Sequence, residues 1–280
     1  MSMKRNRIVR RKVRTAVRYI ITFVLMICMM CALSLGVAKY SMLSTRAVLH
    51  TCDRVEYYDG LATELEHESY RLGIPYGISK KMVKGVFDKK ELRRNIEKVI
   101  ESGKKDQTPS IDTYNIRQNI QKNVEKEKGK LSKKQKESLD TYILQVENMY
   151  HKKVYIPGVD TIARVINATD KVALICIPLM VLIAIVCIFY LIASRRYVYH
   201  GIRYVAYSVI GAGITLLTVF AAAISDGSIY RFNISDVYMR KFFTYWIGHE
   251  MLMQVFAGIG FLIAGALLIY MVIRQKVRVH

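Results

Sequence analysis

The run VALICIPLMVLIAIVCIFYLIAS, residues 172–194, decides the fold because its 23 residues include no Asp, Glu, Lys, Arg or His. At about 1.5 Å per residue, a helix of this length reaches roughly 34 Å, enough to cross the hydrocarbon core of a bilayer. Three other runs likewise contain none of these residue types. They are 19–38, 204–224 and 251–273, of 20, 21 and 23 residues. Because lipid offers no hydrogen-bond partner to an open backbone, the sequence predicts four transmembrane helices.

A polar block, residues 39–171, lies between the first two apolar runs and makes up nearly half of the chain. Within it, apolar residues recur at spacings of three and four, as at Leu139, Ile143 and Val146. This periodicity is typical of amphipathic helices. The sequence therefore predicts an all-α integral membrane protein in which an α-helical extracytoplasmic domain is inserted between the first and second spans.

The ends of the block's helices are marked by local signals. Ser132 with Gln135, and Asp88 with Glu91, have the spacing of capping boxes. No proline follows the first apolar run until Pro75. We therefore expect the first span to continue outward as a long stalk helix that ends near Gly73, and a second stalk helix to lead into the second span.

The distribution of charge predicts the orientation. The formal net charge is +21, and residues 1–18, 195–203 and 274–280 together hold 14 Lys or Arg and no acid. The polar block holds 26 basic and 19 acidic residues, and residues 225–250 hold three of each. Short basic segments beside spans stay in the cytoplasm. We expect a multi-pass cell-membrane protein with both termini cytoplasmic and the polar block, residues 39–171, extracytoplasmic.

These observations give the predicted organisation of the chain. It comprises a basic cytoplasmic leader (1–18), a first span (19–38), a helical extracytoplasmic domain with stalk helices (39–171), a second span (172–194), a cytoplasmic link (195–203), a third span (204–224), an extracytoplasmic loop with an interfacial aromatic segment (225–250), a fourth span (251–273) and a cytoplasmic tail (274–280). The small residues Gly36 to Ala38 leave open that the first run is a cleaved signal peptide.

Composition bounds the partners and the redox chemistry. Two thirds of the positive excess lies beside apolar runs, where it acts as an orientation signal, so no nucleic-acid partner is expected. Four of the five cysteines fall within spans and only Cys52 lies outside them. A single external thiol cannot form a disulfide framework within one chain.

Small residues at four-residue spacing allow membrane helices to approach closely. Ser208 with Ala212 in the third run, and Gly260 with Ala264 in the fourth, have this spacing. We therefore predict that the third and fourth spans pack together through these four residues.

Aromatic and basic residues beside the runs predict the membrane interfaces. Tyr238, Phe242 and Trp246 form an aromatic segment before the fourth run, and Arg195 and Arg196 follow the second. Aromatic rings and arginines of this kind anchor spans at the two interfaces. The lipid bilayer is accordingly the first partner that the sequence predicts.

The string His249-Glu250 begins like a zinc-protease HExxH motif, but Met253 stands where the second histidine is required. No other motif of catalysis or of cofactor binding is present, so the sequence predicts no enzyme, no metal and no cofactor. The apolar runs contain no ionisable residue that would mark a transport pathway. Transport by this chain alone is therefore not expected.

The order of spans and loops resembles that of permease subunits of the cell-division FtsX type, and the resemblance is one of layout only. It implies, as an alternative, a subunit of a transport complex. The residues favour a membrane protein that presents a helical interaction or sensing domain to a protein partner or to an anionic envelope component, with the third and fourth spans as a further partner surface. A purely structural membrane protein is the third possibility.

Overall fold

The computed structural model describes the backbone of residues 2–105, 107–155, 159–194, 197–227, 234 and 237–279, and their side chains except at 2–12, 159–162 and 276–279. Helices dominate this part of the chain, and it contains no strand. The α-helices are α1 (Ser2–Ser41), α2 (Thr45–Arg54), α3 (Tyr57–Gly73), α4 (Lys80–Val83), α5 (Lys89–Lys104), α6 (Tyr114–Lys128), α7 (Lys133–Val154), α8 (Val159–Ala193), α9 (Val198–Ser225) and α10 (Val237–Val279). A 3₁₀ helix, Ile74–Tyr76, follows α3.

Four of the helices are long and apolar enough to cross a membrane. The candidate spans are Val13–Ser41 in α1, Ala163–Ala193 in α8, Val198–Ser225 in α9 and Val237–Gln275 in α10. The prediction of an all-helical chain with four candidate spans is confirmed. The fourth helix begins well before the predicted residue 251, because the aromatic segment continues into it as one helix.

The chain divides into two compact units. We call Met1–Leu43, Thr169–Asn233 and Trp246–His280 the span unit, and Ser44–Ala168 with Ile234–Tyr245 the helical unit. Helices α8 and α10 each contribute residues to both units.

The helical unit has a core of its own. Aliphatic and tyrosine side chains from α3, α5, α6 and α7 fill it, among them Leu65, Ile96, Ile120, Tyr142 and Ile143, each less than 2% exposed. Burial of this kind contributes about 25 cal/mol per Å² of apolar surface. The core therefore explains why the polar block folds as a compact body despite its charge.

The capping box that the sequence predicts forms completely at α7. At α5 only one of its two hydrogen bonds forms. At the start of α7 the Ser132 hydroxyl accepts from Gln135 N at 3.4 Å, and the Gln135 side chain accepts from Ser132 N at 2.9 Å. At α5 the Asp88 carboxylate accepts from Glu91 N at 3.3 Å. The capping box of α7 is confirmed, and Glu91 instead turns into the interior.

The expectation of one stalk helix from the first span to Gly73 is wrong. Helix α1 ends at Ser41, and Ser44 starts α2 by accepting a hydrogen bond from Ala47 N at 3.1 Å. A second break follows at Glu56, whose φ of 55° is left-handed and ends helical continuity. A serine cap and a left-handed residue interrupt the helix here without any proline. The absence of proline was therefore not enough to predict one continuous helix.

Candidate functional site

A surface cleft of about 790 Å³ lies in the described part of the helical unit. It lies between the end of α5, the loop that follows, the end of α7 and the start of α8. Its lining residues are Val99, Gly103, Gln107, Thr108, Pro109, Ile111, His151, Lys152, Tyr155 and Arg164. Its size suits a small ligand or a short peptide segment.

A buried polar network holds the loop that forms one wall of the cleft. Asn95 is fully buried in α5 and donates from Nδ2 to Tyr150 OH at 2.9 Å and to the carbonyl oxygen of Asp112 at 3.0 Å. Its own side-chain oxygen accepts from Asp112 N at 3.3 Å. Burial raises the pKa of Tyr150, which stays a neutral phenol. The network fixes the loop between α5 and α6 against α7.

Helix α8 is fixed to the C-terminal end of α5. Asn167 of α8 donates from Nδ2 to the carbonyl oxygen of Lys104 at 3.1 Å, at the end of α5 where helix carbonyls lack an internal partner. Ala163 and Ile166 of α8 are fully buried. Arg164 therefore occupies a defined place at the cleft.

The cleft is basic. His151, Lys152 and Arg164 line it, and no Asp or Glu lines it within the described residues. Pro109 and Ile111 supply apolar contacts beside these groups. The arrangement fits a ligand that carries an acidic group next to an apolar one. The sequence did not reveal it, because its walls come from segments that are far apart in the chain.

Of the four predicted packing residues, the two in α9 are buried and the two in α10 are exposed. Ser208 donates to the carbonyl oxygen of Thr22 at 2.8 Å, so it joins α9 to α1, and Ala212 is fully buried. Gly260 and Ala264 lie on the exposed face of α10, and a Cβ at Gly260 would meet no atom within 4 Å.

The close approach of α9 and α10 uses other glycines. A Cβ at Gly213 would lie 2.9 Å from the carbonyl oxygen of Gly258, and one at Gly258 would lie 3.0 Å from that of Gly213. Such distances leave no room for a methyl group between the two backbones. The crossing thus lies on a different face of α10 from Gly260, because two residues turn a helix by about 200°.

The predicted aromatic anchors pack within the chain. In the helical unit the Tyr238 ring lies directly on Gly60, where any Cβ would clash with it, and Phe242 is buried. In the span unit Trp246 donates from Nε1 to the carbonyl oxygen of Met42 at 3.1 Å. The anchor prediction did not foresee these contacts. The two arginines assigned to the inner interface, Arg195 and Arg196, lie outside the described residues.

The His249-Glu250 string belongs to a polar cluster between α1 and α10. Glu250 accepts hydrogen bonds from Ser41 Oγ and from Gln254 Nε2, the second at 2.7 Å. Gln254 Nε2 also donates to the carbonyl oxygen of Ser34 at 3.0 Å, which joins α10 to α1. Among the described residues, no group of three His, Cys, Asp or Glu side chains is placed to hold a metal ion.

Four long apolar helices joined to a helical unit are the architecture of a multi-pass membrane protein. Comparisons with protein-family models, with curated proteins and with solved structures found no match. The function is therefore inferred from the geometry of the chain itself.

Proposed function

We propose that this protein is a membrane-anchored recognition module, in which the helical unit binds a partner at the basic cleft and passes the bound state to the spans. The observation that carries the proposal is the position of Arg164. This side chain lines the cleft and belongs to α8, where it lies at the N-terminal end of the candidate span Ala163–Ala193. A ligand held against Arg164 acts directly on a helix that enters the membrane.

The charge pattern supports the orientation that this function needs. The leader, link and tail hold 14 basic residues and no acid, which supports cytoplasmic termini in a cell-membrane protein. The helical unit is then extracytoplasmic, where it meets partners outside the cell. Transmission follows if α8 adopts two discrete positions that depend on the ligand.

We propose no intrinsic catalysis. The basic groups of the cleft, His151, Lys152 and Arg164, are exposed, and its described lining includes no Ser, Cys, Asp or Glu. The partner at the cleft is best matched by a protein segment that carries a carboxylate beside an apolar side chain.

Photo-crosslinking in native membranes tests the proposal. A crosslinking amino acid at Thr108, inside the cleft, is expected to capture a discrete partner. The same amino acid at Thr63, exposed on α3 and away from the cleft, serves as the matched control. Capture from Thr108 should disappear when Lys152 and Arg164 are both replaced by Ala.

Two results would contradict the proposal. Equal capture from Thr108 and Thr63 would show that the cleft has no special role. Stoichiometric capture of an ATPase by a crosslinker at Tyr199, in the first turn of α9, would instead favour the transport-complex alternative.

A further inference from the structure

The tertiary structure brings two lysine clusters together that the sequence keeps apart. The first comprises Lys80, Lys81 and Lys84 at α4, and the second comprises Lys122, Lys126, Lys128, Lys130, Lys133, Lys134 and Lys136 at the end of α6 and the start of α7. We call these ten residues the lysine surface. All ten side chains are exposed.

Specific contacts hold the α6 part of the second cluster beside the first. Asn123 of α6 donates from Nδ2 to the carbonyl oxygen of Met82 at 3.1 Å and lies 3.5 Å from that of Lys84. Asn119 donates to the carbonyl oxygen of Val86 at 3.3 Å. A Cβ at Gly77, just before α4, would lie 3.4 Å from Lys128 Nζ. The juxtaposition is therefore built by side-chain bonds to the backbone around α4.

The surface carries most of the net charge of the polar block. Its ten lysines and the three glutamates interspersed among them, Glu125, Glu127 and Glu137, give +7. Residues 39–171 contain 26 basic and 19 acidic residues, which is also +7, so the remaining 16 basic and 16 acidic residues cancel. One further acid, Glu66 of α3, reaches the same region and accepts from Gly85 N at 2.7 Å.

The ten lysines differ in pairing from six other cations of the helical unit. Within the described residues none of the ten forms an ion pair, whereas elsewhere in the unit the paired cations are Lys89, Arg93, Arg94, Lys104, Arg117 and Lys153. Ten like charges on one surface repel each other, and a polyvalent anion relieves that repulsion while releasing its counterions.

The lack of exposed apolar side chains limits the classes of anion that the lysine surface can bind. The described residues expose no large hydrophobic side chain at 77–113 or 115–143. Aromatic platforms on which bases stack are therefore missing from the described part of this surface, and so are apolar wedges that enter lipid. Lysines without arginines also favour repeated point-charge contacts over bidentate recognition of a single group.

We infer that the lysine surface binds a linear, non-nucleic polyanion with phosphate groups along its chain. This inference rests on the proposed function only in treating the helical unit as the part that recognises partners, since it uses a surface other than the cleft. The probe is linear inorganic polyphosphate, added to the full chain in nanodiscs of neutral lipid. Binding of the natural protein should weaken steeply with salt, because each neutralised phosphate releases counterions.

The decisive variant carries Lys80→Gln, Lys84→Gln and Lys128→Gln, which takes charge from both clusters. We expect its affinity at low salt to fall by about tenfold or more, and the slope of log K against log salt to fall by about 2. The matched control carries Arg46→Gln, Lys90→Gln and Lys105→Gln, three exposed cations of the helical unit outside the lysine surface. It loses the same net charge and should bind within about twofold of the natural protein.

Replacing Lys80, Lys84 and Lys128 by Arg should retain binding, which shows that charge at these positions is what the polymer requires. Four results would overturn the inference: no binding by the natural protein, equal weakening of the decisive and control variants, much tighter binding of single-stranded DNA of equal charge, or loss of binding in nanodiscs of anionic phospholipid. The last two would assign the surface to nucleic acid or to the bilayer. Intact photo-capture from Thr108 beside absent polymer binding would reject this inference and leave the proposed function standing.

Discussion

Gln254 of α10 donates a hydrogen bond from Nε2 to the carbonyl oxygen of Ser34 in α1, at 3.0 Å. The same nitrogen donates to Glu250 at 2.7 Å, and Gln254 is almost fully buried. Because these contacts join two candidate spans, we expect Gln254→Leu to lower the free energy of unfolding by about 1 kcal/mol, the usual size of an interhelical hydrogen bond in a membrane. Unfolding by SDS in mixed micelles measures the change.

Met253→Leu is the control for Gln254→Leu, because Met253 is exposed on the same helix. It should leave the unfolding curve within experimental error of the natural protein. If both variants match the natural protein, the bond to Ser34 does not stabilise the chain.

Gly258→Ala tests the crossing of α9 and α10. The added methyl would lie 3.0 Å from the carbonyl oxygen of Gly213, so the two backbones must separate. We expect a loss of about 1 to 3 kcal/mol, the usual effect of overpacking. Gly260→Ala adds the same methyl where nothing lies within 4 Å, and it should be neutral or slightly stabilising. If Gly260→Ala instead lowers the free energy of unfolding more than Gly258→Ala does, the result would support the sequence-based prediction that Gly260 packs against the third span.

Glu91 makes stability depend on pH. Burial raises the pKa of Glu91, and its Oε1 atom is buried without a hydrogen-bond partner. The folded chain therefore holds this proton more tightly than the unfolded chain. The resulting stabilisation is complete below the unfolded pKa, about 4.3 for a glutamate, and is lost as the pH rises through the raised folded pKa.

Glu91→Gln removes that loss, because the amide stays neutral at every pH. At neutral pH the variant should be more stable than the natural protein, and the difference should shrink toward pH 4. Thermal unfolding at several pH values in detergent measures it. Glu97→Gln, an exposed change on the same helix, should show no such trend. A variant less stable at neutral pH would mean that the Glu91 carboxylate has a favourable partner.

Asn95→Ala should loosen the wall of the basic cleft. The substitution leaves Tyr150 OH and the backbone of Asp112 without their bonds to Asn95, at a cost of about 2 to 3 kcal/mol. Thermal unfolding should register this loss, and hydrogen exchange should rise in the loop at 107–113. Tyr114→Phe, at an exposed tyrosine, is the control. Unchanged hydrogen exchange in the loop would show that the Asn95 network does not hold the wall of the cleft.

Orientation can be tested with an impermeant maleimide in intact cells. The natural Cys52 should not react, because it is 1% exposed and burial raises the pKa of its thiol to about 12. Thr63→Cys, exposed on α3, should be labelled, and Tyr197→Cys should be labelled only after permeabilisation. Labelling of Tyr197→Cys in intact cells would reverse the proposed topology.

Sequence by itself determined the features that depend on neighbouring residues. Uninterrupted apolar composition specifies the candidate spans, since every part of a lipid-facing helix must be apolar. The capping box at Ser132 and Gln135 needs only one helical turn, so its pattern was visible in the chain. The charge of the polar block was also visible, although its place in the fold was not.

Only the tertiary structure decided which faces meet. Whether Gly258 or Gly260 lies at a crossing depends on the rotation of α10 against α9, and both glycines have similar neighbours in sequence. The lysine surface depends on Asn119 and Asn123 holding the segment around α4 against α6, and the basic cleft depends on α8 returning to the end of α5. Contacts between distant segments are set by packing of the whole core, which no local pattern encodes.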